Sequence, residues 1–221
     1  MMENSKPRYM FFVSTGRCGT KRIAEILRQV LPSEYSVMHQ TTYARLANVL
    51  GNIQYHLPLL ACFSEPLYRF IIEKNSRPGN HIISTDPLTS MIIPEALVRS
   101  SRTAIIHIVR DEDDFARSLY RLTRTRKKSF IAHNMIPFWQ PLLWPLENLT
   151  SKAIIDKYRV IHRLKNDYFL RKYAKNPHYQ RVTMSQLFSD DVLSQFITDF
   201  FKITLKISAT ELETKANATL P

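Results

Sequence analysis

The sequence predicts an α/β domain: a central, mainly parallel sheet of about five strands with helices on both faces. Three observations predict it. Short β-favouring runs alternate with helical patterns along the 221 residues. Thr103-Ala-Ile-Ile-His-Ile-Val109 is apolar almost throughout, as a strand covered on both faces must be. Phe11-Phe12-Val13-Ser14 enters a turn carrying Gly16 and Gly19, which opens directly into a helical pattern.

Taken in order, residues 9–14 form the first strand, and the helix after the turn stops before Pro32. Residues 35–39 make a second short strand ending in His39. Tyr43, Leu46, Ala47 and Leu50 show helical spacing, residues 51–64 give no clear pattern, and Pro66 starts an amphipathic helix. Arg77-Pro-Gly-Asn is a turn, a third strand covers 81–85, and Asp86-Pro87 ends it. A helix over 93–99 leads to the 103–109 strand. Asp111 to Asp114 then open a helix whose first turn suits acids.

Residues 129–149, with Trp139 and Trp144, read as a helical or irregular insertion suited to a lid or binding loop. A long helix over 151–175 shows one apolar face of Ile154, Tyr158, Ile161, Leu164 and Tyr168. A last strand (179–184), a short helix beginning at Ser185, a further helix over 189–201 and a polar tail complete one domain spanning 1–221.

The formal net charge of +12 calls for an anionic partner. Two cysteines, Cys18 and Cys62, set up neither a disulfide framework nor a structural zinc site. No apolar run has the length of a signal peptide or a membrane span, so a cytoplasmic protein is expected. The basic run at 117–128 is a solvated helix face or a surface for peripheral contact with an anionic partner. No aromatic-and-basic pattern of a nucleic-acid module accompanies it, so nucleic acid is not expected.

Strand, glycine turn and helix N-terminus together form an anion site, because backbone N–H groups and the helix dipole converge there. Arg17, Lys21 and Arg22 add charge, and the helix N-terminus is expected to lower the Cys18 thiol pKa. The loop lacks the Gly-x-x-x-x-Gly-Lys-Ser/Thr order, and the strand at 103–109 ends in Arg110 rather than Asp. A magnesium–nucleoside triphosphate site is therefore poorly supported. Arg110 leaves the carboxyl end of that strand, where open α/β sheets bind ligands. Ser118 lies about two turns into the next helix and can face the same anion. An Arg fork and a hydroxyl suit a phosphate monoester.

With these residues in hand, the chain resembles the P-loop sulfotransferases of bacterial type. Ser14-Thr15-Gly16-Arg17-Cys18-Gly19-Thr20 is similar to their 5′-phosphosulfate loop, with Cys18 where Ser is usual and Lys21 where Thr is common. The segment from Ile106 through Arg110 and Asp111 to Ser118 resembles their 3′-phosphate element. Thr85-Asp86-Pro87, Arg181-Val-Thr-Met-Ser and Lys215-Ala-Asn217 resemble further segments. The resemblance implies a three-layer P-loop-type domain. It also implies 3′-phosphoadenosine 5′-phosphosulfate as co-substrate, with no metal required. The implied nucleotide contacts are Thr15, Gly16, Arg17, Cys18, Gly19, Thr20, Lys21, Arg110, Ser118, Lys215 and Asn217.

Sulfuryl transfer needs charge stabilisation at the leaving phosphate, from Arg17 and Lys21, and a base for the acceptor hydroxyl or amine. His39, at the carboxyl edge of the sheet, is the first candidate base and Asp86 the second; His107 reads as a core histidine. The acceptor class (glycan, lipid or small molecule) and the oligomeric state stay open. A kinase-like phosphotransferase, a non-catalytic anion- or nucleic-acid-binding module, and a nucleotide-binding protein without chemistry are the alternatives.

Overall fold

A computed structural model describes residues 7–142, 150–188 and 191–205. The strands are β1 (Tyr9–Ser14), β2 (Tyr35–Met38), β3 (His81–Ser84), β4 (Thr103–Val109) and β5 (Tyr179–Thr183). All pair in parallel, in the order β2-β3-β1-β4-β5. The order reverses on either side of β1, so the loop after β1 opens at the switch point where such sheets bind ligands.

The helices are α1 (Thr20–Val30), α2 (Ala44–His56), α3 (Ser64–Asn75), α4 (Glu95–Val98), α5 (Glu112–Thr125), α6 (Lys127–Met135), α7 (Ser151–Tyr173), α8 (Met184–Phe188) and α9 (Val192–Phe201). Alternation along β1 explains the two covered faces. Phe12 points into a cluster with Ile23 and Leu27 of α1, Ile106 of β4 and Leu193 and Ile197 of α9. Phe11 and Val13 point the other way, against Tyr68 and Ile71 of α3 and Phe169 and Tyr173 of α7. Both phenylalanines are 1% exposed, and each contributes about 2–3 kcal/mol of burial. A third cluster joins α5 to α7 through Phe115, Leu119, Tyr158 and Ile161.

Several boundaries differ from the expectation. Helix α2 runs on to His56, and a 3-10 turn (Pro58–Phe63) links it to α3, so the unread 51–64 stretch is largely helical. Gly51 let that pattern look broken. It is glycine because α2 lies close to the segment before α4, and an added Cβ would come within 2.7 Å of Met91 Cβ. The insertion begins with a regular helix, α6, and only 136–142 of its described part is irregular. The basic run therefore spans α5 and α6. Only α4 forms inside the 93–99 window, and α9 starts at Val192 rather than 189. The buried stripe of α7 runs through Lys157, His162, Lys165 and Asn166, with Leu164 and Tyr168 at its margin.

Candidate functional site

The loop between β1 and α1 turns on three residues with positive φ. Gly16 and Gly19 adopt φ of 92° and 72°, which L side chains rarely tolerate, and Arg17 is held at φ 58°. The Cys18 thiol turns inward and donates to the Gly16 carbonyl at 3.1 Å. Cys18 is fully buried in the α1 core, and burial pushes its pKa up to about 11. This corrects the expected lowering by the helix N-terminus: desolvation of the thiolate outweighs the dipole. Cys18 fixes the loop and is not a nucleophile.

Helix α1 starts without a side-chain cap, whereas Asp111 caps α5 and Thr150 caps α7. Its first-turn N–H groups have no intrahelical acceptors. The Thr15 hydroxyl is buried beside them with no hydrogen-bond partner among the described residues. Open N–H groups, an orphaned hydroxyl and open space at Gly16 fit the phosphate end of a nucleotide.

Arg17 is where the separated motifs meet. Its Nε donates to Ser118 Oγ at 3.1 Å, and Arg110 Nη1 donates to the Arg17 carbonyl at 2.8 Å. Partial burial, then Arg110, then Arg126 lower the Arg17 pKa. The guanidinium stays charged, but three cations crowd one place, and no carboxylate among the described residues acts on it. Lys21 instead lies along α1, exposed, 3.6 Å from Glu25 Oε1. Lys215 and Asn217 lie outside the described residues, as does Trp144.

His39 follows β2 at the carboxyl edge of the sheet, two strand spacings (about 10 Å) from β1. Its Nδ1 lies 3.1 Å from both the carbonyl and the hydroxyl of Thr85. A carbonyl only accepts, so Nδ1 carries the proton and Nε2 keeps its lone pair. Burial lowers the His39 pKa against the raising effects of Thr85 and Asp86, which keeps the ring neutral. Asp86 is 1% exposed and accepts from the Thr41 backbone N–H (2.9 Å), the Thr41 hydroxyl (3.1 Å) and the Leu88 N–H (3.0 Å). Those bonds hold the turn after β3.

His107 is a core histidine. Nε2 donates to Asn166 Oδ1 and Nδ1 accepts from the Tyr179 hydroxyl, both at 2.9 Å. Burial lowers its pKa to about 4. Asn166 continues to His162, which bonds the Arg110 backbone, so β4 and α7 together hold Arg110 in place.

Sequence reasoning missed Arg126, His133, Lys157 and Lys165. His133 on α6 has its pKa lowered to about 3, by burial first and then by Lys165, Lys157 and Arg17. The only signal in the sequence was Lys165 falling on the Ile154–Tyr158–Ile161 stripe of α7, where an apolar residue belongs. Among the described residues no His, Cys, Asp and Glu side chains gather as metal ligands, and no helix is long and apolar enough to cross a membrane.

No family model matches the chain, and no curated protein matches it. Solved structures do. A sulfotransferase from Alicyclobacillus acidocaldarius superposes with a TM-score of 0.51 at 12% identity, over 96% of this chain and 90% of that one. The sulfotransferase domain from the curacin biosynthetic pathway also gives 0.51, at 15% identity, over 93% and 76%. At such identity the likeness speaks for the fold, and the all-parallel sheet with its glycine loop at the switch point agrees with it. The chain has a P-loop sulfotransferase-type fold.

Proposed function

We propose that this protein is a sulfotransferase that moves a sulfuryl group from 3′-phosphoadenosine 5′-phosphosulfate to a hydroxyl or amine. The observation that carries the reading is the Arg17 junction. Two motifs 101 residues apart in sequence, one suited to each phosphate of the donor, are tied together at a single residue.

The donor supplies an activated sulfate whose leaving group is a phosphate. The open N–H groups of α1 and the Arg17 guanidinium would hold that 5′-phosphate and stabilise its growing charge. Arg110 and Ser118 would hold the 3′-phosphate once they turn from Arg17 to the ligand. The His39 Nε2 lone pair takes the acceptor proton as the acceptor oxygen or nitrogen bonds to sulfur and the bond from sulfur to the phosphate oxygen breaks. The second product is 3′-phosphoadenosine 5′-phosphate. Every group in this scheme acts by position and charge. Lys21, paired with Glu25, would reach the leaving phosphate only by changing rotamer.

Calorimetry with 3′-phosphoadenosine 5′-phosphate and with ATP tests the reading. The bisphosphate should bind at least tenfold more tightly, and Arg110→Ala should abolish the preference. Equal binding of the two nucleotides, or unchanged affinity in Arg110→Ala, overturns it.

A further inference from the structure

Helix α7 places two lysines where its packing pattern calls for apolar side chains. Lys157 and Lys165 are 8% and 6% exposed, on the same buried face as Ile154, Tyr158, Ile161 and Phe169. Lys157 Nζ donates to the His133 carbonyl at 3.0 Å. Lys165 has no hydrogen-bond or ion-pair partner among the described residues. Burial lowers both ammonium pKa values to about 8, and no acidic group among the described residues acts on either. Lys172, further along the same helix, shows what a structural lysine looks like here. It donates to the Met91 carbonyl at 2.7 Å, lies against the Tyr168 and Tyr173 rings, and feels Glu95.

A buried ammonium without a counter-ion is costly. Its place in the fold shows what could complete it. Asn166 lies at the level of His107 in β4, and His162 reaches the backbone of Arg110 at the end of that strand. Lys165 and Lys157 therefore flank the carboxyl end of the sheet. They are about 12 Å apart along the helix axis, yet both bear on His133: Lys157 bonds its carbonyl, and Lys165 acts on its ring through charge. Arg17 acts on the same ring. Beside it, Gln140 meets His133 Nδ1 through Nε2, while its Oε1 is buried with no partner among the described residues.

We propose that Lys157, Lys165 and His133 line an acceptor subsite for a small hydroxylated acid, whose carboxylate, sulfate or phosphate ester sits between the two lysines. The free Gln140 Oε1 is placed to accept from a hydroxyl of the same molecule. Identifying the bound anion as an acceptor rests on the sulfotransferase reading; the affinity for an anion does not.

The test uses glucuronate and glucose as a matched pair, titrated by saturation-transfer NMR. The full chain is used both free and saturated with 3′-phosphoadenosine 5′-phosphate. Glucuronate should bind at least tenfold more tightly than glucose in both states. Lys165→Met should lose that preference, bind the bisphosphate within twofold of the parent, and unfold at the same or a higher temperature. Equal binding of the two sugars overturns the proposal, as does a preference that survives Lys165→Met. Glucuronate binding that vanishes on adding the bisphosphate assigns the lysines to the donor and also overturns it. Should Lys165→Met fail to fold, the Cε resonance of Lys165 in 13C-lysine-labelled parent protein decides: it must move with glucuronate and stay fixed with glucose. A protein that prefers glucuronate through Lys165 but does not bind the bisphosphate keeps the anion subsite and loses the sulfotransferase reading.

Discussion

Arg17 Nε and Ser118 Oγ lie 3.1 Å apart, and this one hydrogen bond joins the turn after β1 to the second turn of α5. On the proposed reading, the serine would exchange a guanidinium for a phosphate oxygen when the nucleotide binds. Ser118→Ala should therefore weaken 3′-phosphoadenosine 5′-phosphate by three- to tenfold, about 1 kcal/mol, because the bond is solvent-accessible in the free protein. It should leave adenosine 5′-phosphosulfate, which lacks the 3′-phosphate, unaffected. Equal losses for the two ligands in calorimetry would place Ser118 at the 5′ end instead.

His39 is poised by its tautomer more than by its pKa. Thr85 holds Nδ1–H, and burial keeps the ring neutral below the ordinary histidine value of about 6.5. His39→Asn should lower kcat by about a hundred- to ten-thousand-fold with the bisphosphate affinity unchanged within twofold. The parent's acid limb in kcat should fall below pH 6.5. An unchanged kcat in single-turnover assays sinks the assignment and shifts attention to His133, a neutral imidazole on which Arg17 acts.

The parts of the fold that were legible in sequence share one property: local composition and tertiary environment demand the same residues. Thr103–Val109 is a case in point, since a strand covered on both faces must be apolar, and it was read to the residue. The glycine turn was legible because Gly16 and Gly19 meet a backbone requirement that neighbours cannot change. Helix α2 was legible only to Leu50, because its buried face carries Asn48, Gly51, Asn52 and Gln54, and the Asn and Gln amides serve the Trp139 and Met91 carbonyls rather than a greasy core. Lys157 and Lys165 were hidden for the same reason. A charge on a buried stripe breaks the pattern that sequence reading depends on, and only the packing of α6 on α7 shows what the charge faces. Cys18 was misjudged because the direction of its side chain, into the core rather than toward the anion, is a property of the loop's left-handed residues.

The two loop glycines should respond differently to alanine. At Gly16 an added Cβ meets nothing within 4 Å, so only the φ of 92° is strained, at about 1–2 kcal/mol. At Gly19 the Cβ would also come within 2.6 Å of the Phe188 ring, which Arg22 covers at 4.9 Å. Gly19→Ala must displace α8 from the loop and should cost about 1–3 kcal/mol more. The double change Gly19→Ala with Phe188→Ala should recover part of that loss. Urea unfolding of the three variants checks the order, and a Gly19→Ala no worse than Gly16→Ala would show that Phe188 yields freely.

Acid should act on the histidine that ties β4 to α7. His107 has no exposed surface, and its folded-state pKa of about 4 lies below the ordinary 6.5. Above pH 6.5 the ring is neutral in both states, and the fold loses nothing through it. Below 6.5 the unfolded chain takes up the proton first, so stability falls as the pH drops towards 4, by about 3 kcal/mol in total. His133, with its pKa near 3, extends the fall to lower pH. His107→Leu removes the titration but strands Asn166 Oδ1 and the Tyr179 hydroxyl, at a cost of about 1–3 kcal/mol at pH 7. Urea midpoints measured from pH 8 to 4 should therefore start lower in His107→Leu and decline less steeply than in the parent. Parallel curves would mean that His107 is not the group that acid acts on.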